Sequence, residues 1–330
     1  MAAMNLGPRS VSRMAVALLA LLTGVGCRDT GMKMATNGSP ARAAAPGATT
    51  LPTAIEVTWP ESPAPRSLVV ARPDGIFEAS VTTGRTIRRL TAIPRGYSPA
   101  WVRADRQHGR VFFGLESCDP EPAGTWVVPL AGGRPRFVTD GGEISVSPNG
   151  RLIAFPRIED GCAAGALVVR DLMTGRERVW HPSTGDVASV AWAPDGHHIA
   201  FSSGLEQNVY LLDTAVPEEP DRRTTSAQPL FVESGVLRSA AVVGSRWLLL
   251  VDRQCPGDLP HGRPCEPSAQ LIDGLNGRVL MTLPTLADWR PVALDDSGRA
   301  VLLGSTTDGA FARYGGGSVV TIGRAVAGDW

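Results

Sequence analysis

The chain has few residues that could do chemistry, and their spacing argues mostly against it. Its five cysteines stand at positions 27, 118, 162, 255 and 265, and its five histidines at 108, 181, 197, 198 and 261. No cysteine pair has C-x2-C spacing, and no histidine pair lies near enough in sequence to complete a zinc set, so no metal is expected. Asp105, Asp195 and Asp296 stand in short polar turns without the alternating carboxylates of a calcium loop, and turn chemistry suffices for them. Gly315-Gly316-Gly317 has no P-loop lysine and no following helix, which leaves a tight hairpin. A serine hydrolase needs a nucleophile elbow of the G-x-S-x-G type, and none is present. The expectation is a protein that is not an enzyme and carries no cofactor.

The first residues read as an export signal. Arg9 and Arg13 form a basic head, and Met14 to Leu22 a nine-residue apolar stretch, too short for a membrane span of about 20 residues. Thr23-Gly24-Val25-Gly26-Cys27 follows, small residues leading into a cysteine. This resembles the lipobox of bacterial lipoproteins, with Gly24 where that motif usually has leucine. The resemblance implies cleavage after residue 26 and a lipid on Cys27; the alternative is an ordinary secretory signal with a nearby cysteine. Residues 28–54 hold Ala, Pro, Gly, Thr and Ser with almost nothing large and apolar, a composition that cannot offset chain entropy. The expected organisation is a signal over 1–26, a lipidated Cys27 with a flexible tether over 27–54, and a folded body over 55–330. Four cysteines then remain, an even number suited to an oxidising compartment.

Composition bounds the body. Gly 37 and Pro 27 make up 64 of 330 residues, too many for a helical bundle, while 43% hydrophobic residues supply a core. Thirty-two basic against 32 acidic residues give a net charge of zero, so bulk electrostatics makes no case for nucleic acid or anionic lipid.

Self-similarity organises it. Pro148-Asn149-Gly150-Arg151 leads into Leu152 to Phe155, Pro194-Asp195-Gly196-His197 into Ile199 to Phe201, and Asp296-Ser297-Gly298-Arg299 into Val301 to Leu303. A second marker is a Gly-Arg turn at Gly84, Gly133, Gly175 and Gly277, with intervals of 49, 42 and 102 residues. Each unit has room for four strands between glycine-containing breakers. The third strands are expected at Ile76 to Val81, Thr125 to Leu130, Ala166 to Asp171, Val209 to Asp213, Ala269 to Asp273 and Ala310 to Tyr314. Six units over residues 55–322 average about 45 residues, the length of a four-stranded propeller blade. The fold class is therefore all-β, a six-bladed β-propeller with blades near 55–92, 97–139, 142–181, 186–232, 236–284 and 288–322 and a tail over 323–330. Ile55 to Trp59 is assigned as the first strand of the first blade, with Trp59 in the place of Trp101 and Trp192. The tail Ala327-Gly328-Asp329-Trp330 echoes Ala287-Asp288-Trp289 and is a candidate to fasten the ring. Repeat register favours disulfides Cys118–Cys162, across adjacent repeats, and Cys255–Cys265, within one loop.

The phrase Ser189-Val190-Ala191-Trp192-Ala193-Pro194-Asp195-Gly196 with Ile199-Ala200-Phe201 resembles the WD40-like PD40 repeat of TolB-type propellers. Ser145 to Phe155 is a second copy, with Val146 in place of the tryptophan. The resemblance implies a six-bladed propeller, exported, acting in protein–protein contact in the cell envelope. TolB carries an additional N-terminal α/β domain, whereas here the linker runs straight into the first blade, and the partner of TolB is not carried over.

The expected binding rim is formed by connections from each fourth strand to the next first strand: Arg95, Tyr97, Asp186, Arg238, Asp288, Trp289 and Arg290, rich in the arginines and aromatics of binding hot spots. The insertion from Pro217 to Gln228 is a second candidate contact. The leading expectation is a monomeric, lipid-anchored envelope module at the outer membrane or periplasmic face, binding an envelope protein or polymer. A propeller lyase or hydrolase and a small-ligand sensor, each with a site at the channel mouth, are the alternatives.

Overall fold

A computed structural model describes residues 66–117, 124–159, 163–182, 184, 186–203, 208–215, 227–231, 235–243, 246–253, 268–283, 289–295, 300–305, 307–315 and 318–330. Among the described residues every regular element is a strand. Blade one holds β1 (Ser67–Arg72), β2 (Gly75–Ser80) and β3 (Thr86–Ala92), and blade two β4 (Tyr97–Asp105), β5 (Arg110–Ser117), β6 (Gly124–Pro129) and β7 (Arg136–Thr139). Blade three is β8 (Ser145–Val146), β9 (Leu152–Glu159), β10 (Ala163–Asp171) and β11 (Glu177–Trp180); blade four is β12 (Ser189–Trp192), β13 (His198–Ser202), β14 (Val209–Asp213) and β15 (Gln228–Phe231). Blade five is β16 (Gly235–Val243), β17 (Arg246–Arg253), β18 (Ser268–Asp273) and β19 (Val279–Leu283). Blade six is β20 (Trp289–Leu294), β21 (Val301–Ser305), β22 (Ala310–Gly315) and β23 (Ser318–Arg324), and β24 (Ala327–Asp329) ends the chain. Six antiparallel four-stranded sheets result, as the repeat predicts.

The apolar runs explain the wheel. In Leu68-Val69-Val70-Ala71, alternate residues face opposite sides of one sheet. Val69 and Ala71 pack with Val111 and Phe113 of blade two, while Leu68 and Val70 pack with Leu302 and Phe311 of blade six. Four further clusters fill the interfaces between blades two and three, three and four, four and five, and five and six. Both faces of a blade are thus buried against neighbours, which a single blade cannot achieve alone.

Ring closure differs from the first-strand assignment. The inner edge of β1 belongs to the tail: Val69 pairs with Asp329, Val70 with Gly328 and Ala71 with Ala327, while the other edge of β1 pairs with β2. Both edges of β1 are thus occupied by described strands, and Ile55 to Trp59, assigned to the inner position from the sequence, lie outside the described residues. The first strands β4, β8, β12, β16 and β20, together with β24, form the inner ring, with β20 against β24 and β24 against β4.

The tryptophan equivalence is corrected too. Trp192 pairs with Ile199, but Trp101 pairs with Gly114 beyond a bulge, and the residue of blade two in the Trp192 register is Ala104, opposite Val111. Trp330, directly after Asp329, takes that register in blade one; its indole Nε1 donates to Ala293 O at 3.3 Å.

At two of its four positions the Gly-Arg marker has a tertiary cause. Gly84 (φ 66°) and Gly277 (φ 70°) lie in turns between third and fourth strands. A Cβ on Gly84 would stand 1.5 Å from Ile322 O of blade six, and one on Gly277 1.8 Å from Leu230 O of blade four. At both positions only hydrogen lets the turn close on the preceding blade's outer strand.

Candidate functional site

The inner strands bring one residue per blade to the same level of the axis. By register these are Asp329, Arg103, Ser145, Ala191, Ser239 and Ala293, opposite Val69, Phe112, Ala154, Ala200, Leu250 and Leu302. Three of their side chains tie the wheel together. Asp329 Oδ2 accepts the Ala104 N–H (2.8 Å), Ser145 Oγ the Trp192 N–H (3.0 Å) and Ser239 Oγ the Leu294 N–H (3.2 Å). In each case a side chain of one blade accepts a backbone donor of the next, which the next blade's own ladder leaves unused.

Arg103 stands out among these short residues. Its guanidinium lies 2.6 Å from Glu143 Oε1 and 3.6 Å from Asp329 Oδ1, and Nη2 donates to Arg238 O at 2.6 Å. Arg238 belongs to blade five, opposite blade two, so the side chain crosses the channel. The acceptor is available because Arg238 is the extra residue of a bulge between Leu237 and Ser239. Burial works against the Arg103 charge, but Glu143 and Asp329 outweigh it and hold the pKa above its ordinary value.

Arg103 lines the cavities on both sides of this crossing. One, of about 480 Å³, is walled by Val146, Val190, Trp192, Leu294 and Trp330 near the turns between first and second strands. The other, of about 550 Å³, lies at the mouth where the first strands begin, and Glu143, Arg238 and Arg290 share it with Arg103. Arg238 Nη2 is 2.7 Å from Asp252 Oδ2. Arg290 is exposed and has no ion-pair partner among the described residues. The lining side chains therefore offer three guanidinium groups and one carboxylate.

Of the rim residues read from the sequence, the structure brings Arg238 and Arg290 together at this mouth. Arg95 is exposed in the connection between β3 and β4. Tyr97 packs against the core between blades one and two, and Trp289 against that between blades five and six. Asp186 is buried and accepts the Ser203 hydroxyl at 2.6 Å. Asp288, the cysteines 27, 118, 162, 255 and 265, His261, Asp296 and residues 217–226 of the insertion lie outside the described residues. Sequence reasoning did not single out Arg103, Glu143 or Asp329. The available signal was a charged residue in a first strand where blades three to six carry Ser or Ala, hidden because Trp101, three positions before Ala104, was matched to Trp192.

The turn acids behave as turn chemistry requires. Asp195 Oδ1 accepts the N–H groups of His197 (2.8 Å) and His198 (3.0 Å), and its other oxygen meets His198 Nδ1 at 2.6 Å. Asp105 Oδ1 accepts the His108 N–H (3.3 Å) and meets its ring Nδ1 at 2.7 Å, while Oδ2 pairs with Arg110 Nε at 2.7 Å. Among the described residues, no group of three or more His, Cys, Asp or Glu is placed to hold a metal ion.

The molecule is thus a six-bladed propeller whose axial channel is crossed by Arg103. No protein-family profile matches the chain, and no curated protein matches it. Among solved structures it is similar to TolB from Acinetobacter baumannii, at a TM-score of 0.58 and 16% identity, over 80% of this chain and 65% of that one. A protein assigned as TolB from Agrobacterium tumefaciens aligns at a TM-score of 0.45 and 15% identity, over 67% of this chain and 82% of that one. At these identities the likeness is one of fold, and this chain spans just under two thirds of the Acinetobacter protein.

Proposed function

We propose that this chain is an exported, lipid-anchored interaction module of the cell envelope that binds an envelope protein and carries out no chemistry. The supporting observation is the 550 Å³ mouth, where Arg103, Arg238 and Arg290 converge from three blades beside Glu143. Arginines at the centre of a partly apolar recess are typical anchors of protein interfaces. Only Arg290 among them has no carboxylate partner within the described residues, so it is the group most available to an incoming carboxylate. The likeness of fold to TolB supports an envelope setting, as does the signal-like segment ending at Cys27. The reading includes disulfides Cys118–Cys162 and Cys255–Cys265, a monomeric wheel, and a lipid on Cys27.

Crosslinking in intact cells followed by affinity capture is expected to recover one specific envelope protein, and Arg290→Glu to abolish its capture while leaving the fold intact. Unchanged capture by that variant, or no specific partner in repeated experiments, rejects the mouth as the binding site. Intact mass of the membrane-extracted protein, with and without reductant and alkylation, reports cleavage, acylation and thiol count.

A further inference from the structure

The zero net charge conceals a division along the wheel. Arg66 to Thr139, spanning the first two blades, contain 11 arginines and six acidic residues, whereas Asp140 to Trp330 contain 16 arginines and 23 acidic residues. The first segment carries +5 and the second −7. Much of the excess in blades one and two is displayed on or beside the outer strands β3 and β7. Arg85, Arg88 and Arg89 on one side, and Arg134 and Arg136 on the other, are exposed, as is Arg95 where the chain leaves β3.

The two outer strands are neighbours, since Gly133 N–H donates to Leu90 O at 3.0 Å and so fastens the turn that carries Arg134 to β3. Glu78 is bound by Arg88 at 2.7 Å and leaves the remaining cations uncompensated. The side chains of Arg85, Arg95, Arg134 and Arg136 have no ion-pair partner among the described residues. Two apolar side chains stand out between them: Ile87 is 57% exposed and Phe137 42% exposed. Protection of a sheet edge does not account for the pattern, because the outer strands β15 (QPLF) and β19 (VLMTL) carry no charge at all.

We propose that the outer surface of blades one and two is a docking face for an anionic phospholipid leaflet. Guanidinium groups would meet lipid phosphates, while Ile87 and Phe137 enter the headgroup region, the division of labour of interfacial membrane binding. The acidic remainder of the wheel would be repelled by the same leaflet, which fixes the orientation: blades one and two toward the lipid, blades three to six away. Its biological setting rests on the envelope reading above, for Cys27 stands 39 positions before Arg66 and blade one is the first blade beyond it. The docking chemistry itself does not need the lipid on Cys27.

The test uses the full chain with Cys27→Ala, so that no acyl group contributes, in sedimentation with vesicles. Vesicles of phosphatidylcholine are compared with equal mixtures of phosphatidylcholine and phosphatidylglycerol, at 0.1 M and 0.5 M salt. Binding is expected only to the anionic vesicles and is expected to fall at high salt as screening shortens the range of attraction. The triple variant Arg85→Glu, Arg134→Glu, Arg136→Glu should weaken it by about a hundredfold or more, from roughly fivefold per cation at an anionic surface. Arg246→Glu with Arg278→Glu, exposed positions of blade five, should leave it unchanged; circular dichroism confirms that each variant is folded. Phe137→Ser, which leaves the charge alone, should weaken anionic binding to a lesser degree and serves if the triple variant does not fold. Equal binding to both vesicle types, loss that is the same for the blade-five variant, or patch-dependent capture of an acidic protein without lipid binding overturns the proposal. Acylation found by mass with no patch-dependent vesicle binding would sink this inference and leave the anchoring reading intact; the reverse result does the opposite.

Discussion

Three glycines with nearly the same backbone conformation offer a measurement of what the contact between blades contributes. Gly84, Gly175 and Gly277 have φ of 66°, 73° and 70°, so an alanine at any of them meets the same local strain, about 1–2 kcal/mol for an L-residue in the left-handed region. Their surroundings differ. The nearest atom to a Cβ on Gly175 is Arg170 Nη2 at 3.7 Å, an ordinary contact with the end of a flexible side chain. On Gly84 it is Ile322 O at 1.5 Å, and on Gly277 Leu230 O at 1.8 Å, both main-chain atoms of the preceding blade. A relaxed contact needs about 3.2 Å or more, so an outer strand must move by well over 1 Å or the two blades must part. Overpacking of that kind costs about 1–3 kcal/mol above the local strain. Gly175→Ala is therefore expected to destabilise by about 1–2 kcal/mol, and Gly84→Ala and Gly277→Ala by about 2–5 kcal/mol. Urea denaturation followed by tryptophan fluorescence reads the differences as shifts of midpoint at constant slope. Melting temperatures should fall in the same order, by about 2–4 °C per kcal/mol for a domain of this size. If all three variants lose the same stability, or Gly175→Ala loses most, the Gly-Arg turns are local features only and the argument that they lock blade to blade is wrong.

The closing strand gives a second set of expectations. Trp330→Ala removes a buried indole from the core between blades six and one and should cost about 3–5 kcal/mol in the same assay. Asp329→Ala should cost about 1–3 kcal/mol by leaving the Ala104 N–H without its acceptor, and Asp329→Asn, which keeps an acceptor oxygen, should cost less; equal losses for Ala and Asn would contradict that role. In blade three, the Arg151 side chain hydrogen-bonds Asp171 and, with the N–H groups of Met173 and Thr174, lowers its pKa to about 2. A carboxylate lowered in the folded state contributes stability that is complete above its unfolded value near 3.8 and is lost as pH falls from there toward 2. Arg151→Ala should raise the Asp171 midpoint toward its ordinary value in an NMR titration, and an unmoved midpoint would refute the pairing.

Each part of the molecule was legible in sequence to the extent that its cause is local. The turn Pro194-Asp195-Gly196 is written in its own residues, because the Asp195 carboxylate caps the next N–H groups and Gly196 takes a positive φ (71°). Strand positions followed from apolar runs bounded by such turns, and all six third strands fall within three residues of their expected bounds. The apolar runs also implied burial on both faces, and hence neighbours on both sides, which only a closed or capped array supplies.

Other features needed the folded ring. The likeness of the tail to Ala287-Asp288-Trp289 predicts that it fastens the ring, and it does. A three-residue strand is too short to show a period, however, so its register on β1 and its place as the inner strand of blade one exist only in the closed ring. Trp101 stands three positions before Ala104 in an unbroken stretch of register of the nine-residue β4, whereas β12 has four residues, and matching the two tryptophans left Arg103 unnoticed at the axis. Tyr97 and Trp289 were placed on a rim by the order of the strands, but their rings pack against the cores between blades. Patterning along a chain records which residues are apolar and where it turns; which side chains meet across the axis depends on bulges and on closure by distant segments, and these exist only once six sheets have assembled around one another.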